Sequence, residues 1–269
     1  MELKQLGNTN VKVPEIGLGV WKYRGGVEPL RRGIELGAFL IDTAEMYRTE
    51  DVVGQAVKGI RDKVFIASKV SGSHLRYDDV LKAAEASLRE LNESCIDLYQ
   101  IHWPNSSVPI KDTMRAMETL VDRGQIKYIG VSNFSVRELR EAQAVMRNYP
   151  IVANQVLYNL NDRDIERDLL PYCQKHHVTI LAYTPLDDGR LAKKVKVWRG
   201  RGQGMRVLEE IATQTNKTLA QVALNWCIRH PNVIAIPKSD SVARTEENCH
   251  ASGWRLSPEQ IEALDRAFS

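Results

Sequence analysis

A carboxylate and a phenol lie five positions apart in Ile41-Asp42-Thr43-Ala44-Glu45-Met46-Tyr47, just where a short apolar run breaks off. The next two runs of the same kind end on Lys69 and on His102. A tyrosine is almost fully protonated at neutral pH and is a poor acid unless a cation stabilises its phenolate. Lys69 is placed to be that cation, and Asp42 would keep a buried ammonium charged and oriented. His102 could hydrogen-bond a substrate oxygen and fix its position. Taken singly, Asp42 reads equally as a loop cap, Tyr47 as a rim aromatic, Lys69 as a strand-end charge and His102 as a satisfied core histidine. Their position at three consecutive strand ends makes one proton-delivering site the better account.

The elements that must hold these residues recur along almost the whole chain. Strand-like runs are predicted at 15–20, 39–42, 64–69, 97–102, 128–132, 151–155, 178–183 and 233–237, each followed by a helix-like stretch. In residues 78–91, for example, Leu81, Ala84, Leu88 and Leu91 recur at helical spacing and share one buried face. Eight such units without a break in composition favour an α/β fold of one domain over 1–269, a closed (β/α)8 TIM barrel. Repeated right-handed crossovers return a parallel sheet to itself, and active sites then sit at the carboxyl ends of the strands. An open doubly wound sheet is the alternative. Residues 3–14 read as an N-terminal β-hairpin turning at Gly7-Asn8-Thr9-Asn10 and capping the barrel end away from the site.

Bulk properties exclude several classes. The 37 basic residues are nearly matched by 34 acidic ones, for a net charge of +3, which argues against nucleic acid as a partner. The basic runs Lys193-Lys194-Val195-Lys196 and Arg199-Gly200-Arg201 read as solvated loop charges. Cys95, Cys173, Cys227 and Cys249 have no metal-ligand spacing and are expected to be reduced. His74 and His176-His177 lack carboxylates at metal spacing and read as solvated, so no metal is expected. No apolar window reaches the length of a membrane span or a signal core, and the expectation is a cytoplasmic monomer.

The segments Asp42-Thr43-Ala44-Glu45-Met46-Tyr47, Lys69 and His102-Trp103-Pro104 resemble the catalytic segments of the aldo-keto reductase superfamily. Gly17-Leu18-Gly19-Val20-Trp21, Gly130-Val131-Ser132-Asn133-Phe134, Gln155, Tyr183-Thr184-Pro185-Leu186 and Ile236-Pro237-Lys238-Ser239 follow in the family's order, so the resemblance spans nearly the whole chain. It implies that Tyr47 is the proton donor, that Lys69 and Asp42 tune it, and that His102 orients the carbonyl. It also implies a nicotinamide dinucleotide bound without a Rossmann fingerprint, and Gly200-Arg201-Gly202-Gln203-Gly204, which follows no strand, reads as a loop.

By the same resemblance Ser132, Asn133 and Gln155 would hold the carboxamide, and Tyr183 would stack on the ring. Val20, Trp21, Asp42, Thr184 and Leu186 complete that end of the cofactor site. Lys238, Ser239 and Arg244 would surround an adenosine 2′-phosphate, which favours NADPH over NADH although Asp240 lies between the cations. Glu247 and Asn248 would hold the adenine. Trp21, Tyr47, His102 and Trp103 would line the substrate mouth. The implied activity is NADPH-dependent reduction of aldehydes and ketones, as in prokaryotic members acting on small dicarbonyls, sugar-derived ketones and aromatic aldehydes. The short segment after Pro104 and the end of the sequence soon after the helix at 258–268 imply an open site with weak selection. Two rivals remain: a dinucleotide-binding regulatory subunit on the same fold, and a barrel lyase or isomerase using Tyr47, Lys69 and His102 without a nicotinamide.

Overall fold

The computed structural model describes residues 1–193 and 202–269. The first strands, β1 (Leu3–Gln5) and β2 (Lys12–Pro14), form the antiparallel hairpin, with Gly7 taking the positive φ of 52° that its turn requires. Leu6 and Val13 project from the hairpin into an apolar cluster with Leu40, Phe65, Leu98, Val152, Leu181 and Ile234. Leu40, Phe65 and Val152 are the first or second residues of their strands, so the hairpin plugs the end of the barrel opposite the strand carboxyl ends.

Eight parallel strands follow: β3 (Leu18–Gly19), β4 (Leu40–Asp42), β5 (Phe65–Val70), β6 (Ile96–Ile101), β7 (Ile126–Ser132), β8 (Ile151–Leu157), β9 (Thr179–Tyr183) and β10 (Val233–Ala235). Each pairs with the next in chain order. The circuit is completed by bridges Ile16↔Ala235 and Gly19↔Lys238 and by the bonds Gly17 N→Ala235 O and Gly19 N→Pro237 O. This closure overturns the open doubly wound alternative and agrees with the barrel expected from the repeating units.

The observed strands differ from the expected runs where backbone partners, rather than apolar residues, decide. The run at 15–20 contributes only Leu18–Gly19 to the ladder, because 15–17 reach β10 through a single isolated bridge, Ile16↔Ala235. The run at 151–155 extends to Leu157, which pairs with Tyr183. Gly130 in β7 serves the interior directly, since a Cβ there would sit 2.8 Å from the Gln100 side chain. Its glycine makes room for a buried polar residue next to the site.

Helices cover the outside. Tyr77–Leu91 buries Leu81, Ala84, Leu88 and Leu91, the face that the spacing predicts, and ends on Asn92 in the left-handed conformation. Three helices begin with reciprocal capping boxes, Ser135 with Glu138, Thr218 with Gln221 and Ser257 with Gln260, and such caps contribute about 1 kcal/mol each. The basic run at 194–196 and Arg199-Gly200-Arg201 lie outside the described residues. The expectation of a loop through Gly204 needs correction: Gly202 is an N-cap and Gln203–Thr215 is helical. Gly204 lies against Phe268, where a Cβ would meet the ring at 2.9 Å, so close packing explains the glycine.

Candidate active site

Asp42 is the last residue of β4, Lys69 the penultimate residue of β5, and His102 the first residue beyond β6. Parallel pairing of Asp42 with Ala67 and of Lys69 with Gln100 brings these strand ends into register. Tyr47 arrives by a different route: the chain leaves β4 and makes a single tight helical turn, Glu45–Tyr47. Arg48 in the left-handed conformation then turns it away. The turn returns the phenol over the strand ends.

Lys69 is fully buried, and its ammonium donates to Asp42 Oδ1 at 2.6 Å, to the Thr43 carbonyl at 2.8 Å and to the Tyr47 hydroxyl at 3.4 Å. These use its whole donor capacity. The Tyr47 hydroxyl also lies 3.4 Å from His102 Nε2, and the two rings meet edge to face with centroids 5.4 Å apart. Asp42 Oδ2 accepts from Gln155 Nε2 at 2.7 Å and from Gln100 Nε2 at 3.4 Å. One oxygen of the carboxylate thus faces the cation and the other faces two neutral amides.

Burial lowers the Lys69 pKa, with Asp42 opposing the shift. Burial, then the neighbouring Lys69 cation, pulls His102 down to about 4, so the imidazole is neutral at physiological pH. Burial and then the Asp42 carboxylate push the Tyr47 phenol above its ordinary range. A neighbouring cation alone would lower the tyrosine pKa; burial and the Asp42 carboxylate instead leave the resting site with a firmly protonated phenol. The ammonium 3.4 Å away is the group positioned to stabilise a phenolate as the proton leaves.

Tyr47 and His102 open onto a cleft of about 730 Å³ at the strand carboxyl ends. At one side, Ser132 Oγ donates to the Gln155 carbonyl. Asn133, at a φ of 62°, donates to the His102 carbonyl and accepts from the Tyr183 hydroxyl. Val20, Thr184 and Leu186 also line the cleft. Thr184 and Asp187 both have φ of 50°, so the exit from β9 is a strained turn. Lys238, Arg244, Glu247 and Asn248 lie along the same cleft, whereas Ser239 faces a small adjoining crevice with Thr245 and Asn248. Trp21, Met46 and Trp103 are half-exposed at the mouth. Lys69 lies beneath the lining, in contact with Asp42 and Tyr47.

Sequence reasoning missed Gln100, Lys22 and Met46. Lys22 and Met46 were hidden by their irregular local backbone, while Gln100 was detectable as a lone amide within the apolar run of β6. His74 is exposed, as expected of a solvated histidine, and its Nδ1 lies 2.9 Å from Glu45 Oε1, 29 residues away and beside the turn that carries Tyr47. Among the described residues no cluster of three His, Cys, Asp or Glu side chains could hold a metal, and no helix is long and apolar enough to cross a membrane.

The family model "Aldo/keto reductase family" matches residues 15–268. The chain is 40% identical to the methylglyoxal reductase YeaE of Escherichia coli K12, covering 96% of this chain and 92% of that protein. It is 37% identical to the glyoxal reductase of Bacillus subtilis, with 96% and 90% covered. Among solved structures, the thermostable aldo-keto reductase Tm1743, in complex with the inhibitor epalrestat, superposes with a TM-score of 0.91 at 42% identity, over 99% of this chain and 100% of that one. An aldo/keto reductase from Klebsiella pneumoniae in complex with NADP and acetate gives 0.90 at 38% identity, over 98% and 95%.

Proposed function

Because the chain belongs to the aldo/keto reductase family, we propose that it reduces small aldehydes and ketones, dicarbonyls such as methylglyoxal among them, with NADPH as reductant and Tyr47 as proton donor. The observation that carries this reading is the Tyr47 hydroxyl held 3.4 Å from both Lys69 Nζ and His102 Nε2 at the edge of the cleft. Relatives matched over nine-tenths or more of their length include a methylglyoxal and a glyoxal reductase, and one structural neighbour was crystallised with NADP.

The donor set along the cleft fits a phosphorylated dinucleotide. Lys238 and Arg244 supply cations at one end, and a guanidinium can grip a dianion bidentately. Ser132, Asn133 and Gln155 supply a hydroxyl and amides at the other end, beside the Tyr183 ring. Since Gln155 Nε2 is turned toward Asp42, its Oε1 is the atom left to accept from a carboxamide. Bound NADPH would supply the hydride.

The protein's residues handle the oxygen. Neutral His102 donates to the carbonyl oxygen and fixes the carbonyl carbon's presentation. As negative charge develops on that oxygen, the Tyr47 proton moves to it, and an alkoxide is basic enough to take a proton even from a phenol of raised pKa. Lys69 meets the resulting phenolate, and Asp42, held on its far side by two glutamines, keeps the ammonium charged and aimed. The half-exposed Trp21, Met46 and Trp103 offer a broad apolar approach, with Lys22 Nζ 4.1 Å over the Trp21 ring as the cation beside it, which supports small, weakly selected substrates.

The test is NADPH oxidation with methylglyoxal and a nitrobenzaldehyde for the wild type and Tyr47→Phe. The variant should lose turnover by about 10²–10⁴-fold, the range of a general acid, while still quenching tryptophan fluorescence on binding NADPH. Turnover retained at the wild-type level would remove Tyr47 from the mechanism. Tight NADPH binding with no turnover of any carbonyl by the wild type would favour a regulatory dinucleotide-binding role.

A further inference from the structure

Two short segments border the cleft on its phosphate-binding side, residues 22–26 after β3 and residues 237–241 after β10. A single side chain joins them. Asp240 Oδ1 accepts the backbone N–H of Arg24 at 2.8 Å, and its Oδ2 is ion-paired with Lys238 Nζ. The contact is close along its length. A Cβ on Gly25 would sit 2.8 Å from the Asp240 carbonyl and 2.6 Å from the Tyr23 hydroxyl, so a glycine is what lets the segments approach. Tyr23 is buried and donates to the Gly26 carbonyl at 2.9 Å, which gives the 22–26 segment a fixed shape against which Asp240 can register. Arg244, by contrast, has no ion pair among the described residues, and its guanidinium remains available to the cleft.

We propose that Asp240 is an internal occupant of the 2′-phosphate subsite, neutralising Lys238 and clasping residues 22–26 across the cleft edge until a 2′-phosphorylated dinucleotide takes the lysine over. The inference rests on the reading above that Lys238 and Arg244 face that phosphate. A carboxylate and a phosphate competing for one ammonium, and repelling each other, weaken the bound state relative to a chain without the carboxylate. NADH brings no phosphate to this subsite, so its binding does not compete for Lys238. Asp240 is therefore a specificity-determining residue that moderates the preference for NADPH, and it couples that preference to the order of the 22–26 segment.

The experiment is a tryptophan-fluorescence titration of the full chain with NADPH and with NADH, at low ionic strength, for the wild type, Asp240→Asn, Lys238→Ala and the double variant. Hydrogen exchange of the Arg24 amide is followed in parallel. Asp240→Asn should tighten NADPH by about three- to tenfold, the range of an exposed charge interaction, leave NADH within about twofold, and speed exchange at Arg24. The NADPH gain should vanish when Lys238 is already alanine. If Lys238→Ala selectively weakens NADPH but Asp240→Asn leaves NADPH binding unchanged or weaker, the clasp is refuted while the phosphate site stands. If Lys238→Ala weakens NADPH and NADH equally, the phosphate site itself is misassigned and the inference falls with it.

Discussion

Replacing Lys69 by methionine removes the only cation paired with Asp42 among the described residues. The carboxylate is 2% exposed, so water cannot take the ammonium's place. Breaking one side of a buried ion pair costs about 3–5 kcal/mol, most of it the desolvation of the charge left behind. The lower end applies here, about 3 kcal/mol, because Asp42 Oδ2 keeps the Gln155 amide at 2.7 Å and the Gln100 amide at 3.4 Å. Asp42→Leu should cost a similar amount, since Lys69 would retain only the Thr43 carbonyl and the Tyr47 hydroxyl. The double variant Asp42→Leu/Lys69→Met leaves no charge stranded and should fall within about 1 kcal/mol of wild type, as hydrophobic replacement of whole buried pairs often does. The coupling is then about 5–6 kcal/mol, against the roughly 0.5 kcal/mol expected of independent sites. Urea unfolding at pH 7, followed by tryptophan fluorescence and far-UV circular dichroism, measures it, with coincidence of the two probes checking two-state behaviour. All three variants should lack turnover, and the stable double variant separates architecture from chemistry. Single variants each costing under about 1 kcal/mol, or adding simply to the double, would refute the account of a tightly coupled buried pair.

Gln100→Leu deletes a neutral donor to Asp42 without stranding a charge. It should change stability by about 1 kcal/mol or less yet displace the pH profile of kcat/KM, and an unmoved profile would leave Gln155 as the residue that positions Asp42. Acid stability follows from His102, whose pKa lies at about 4 in the folded chain against an ordinary 6.5. The unfolded chain binds that proton first, so stability is full above pH 6.5 and is lost as pH falls toward 4, by about 3 kcal/mol for this residue. Urea midpoints between those pH values should show the loss, and His102→Gln should flatten the slope. Tyr183→Ala removes both an aromatic face and the hydroxyl that donates to Asn133 at 3.0 Å. It should weaken NADPH and NADH alike in fluorescence titrations; selective loss of NADPH would place the nicotinamide elsewhere.

The strand ends bearing Asp42, Lys69 and His102 were legible because each closes an apolar run, and the hairpin because Gly7 sits between two such runs. Tyr47 was legible as chemistry but not as geometry, since the tight turn and the left-handed Arg48 that return it to the strand ends leave no periodic signal. Pairings across long separations were invisible for the same reason. Glu45 reaches His74, and Arg229 reaches Glu166 and stacks over Trp226 at 3.8 Å, only after the barrel has closed. The protonation of Tyr47 was argued from Lys69 alone; burial, a property of the whole fold, acts in the other direction.

The barrel closes where it has least to close with. Its first strand contributes two paired residues, and the join between the start and end of the β-circuit depends on isolated bridges from Ile16 to Ala235 and from Gly19 to Lys238. Val20 and Trp21 on one side and Lys238 on the other line the cleft at this join, where the proposed dinucleotide would lie. It would act as a rivet through the weakest joint of the hoop, so its occupancy governs how readily the two ends of the chain part. At a concentration a hundredfold above its Kd a ligand confined to the folded state adds about 2.7 kcal/mol. The starved enzyme would then be the one that frays, opening first at its own phosphate-binding edge.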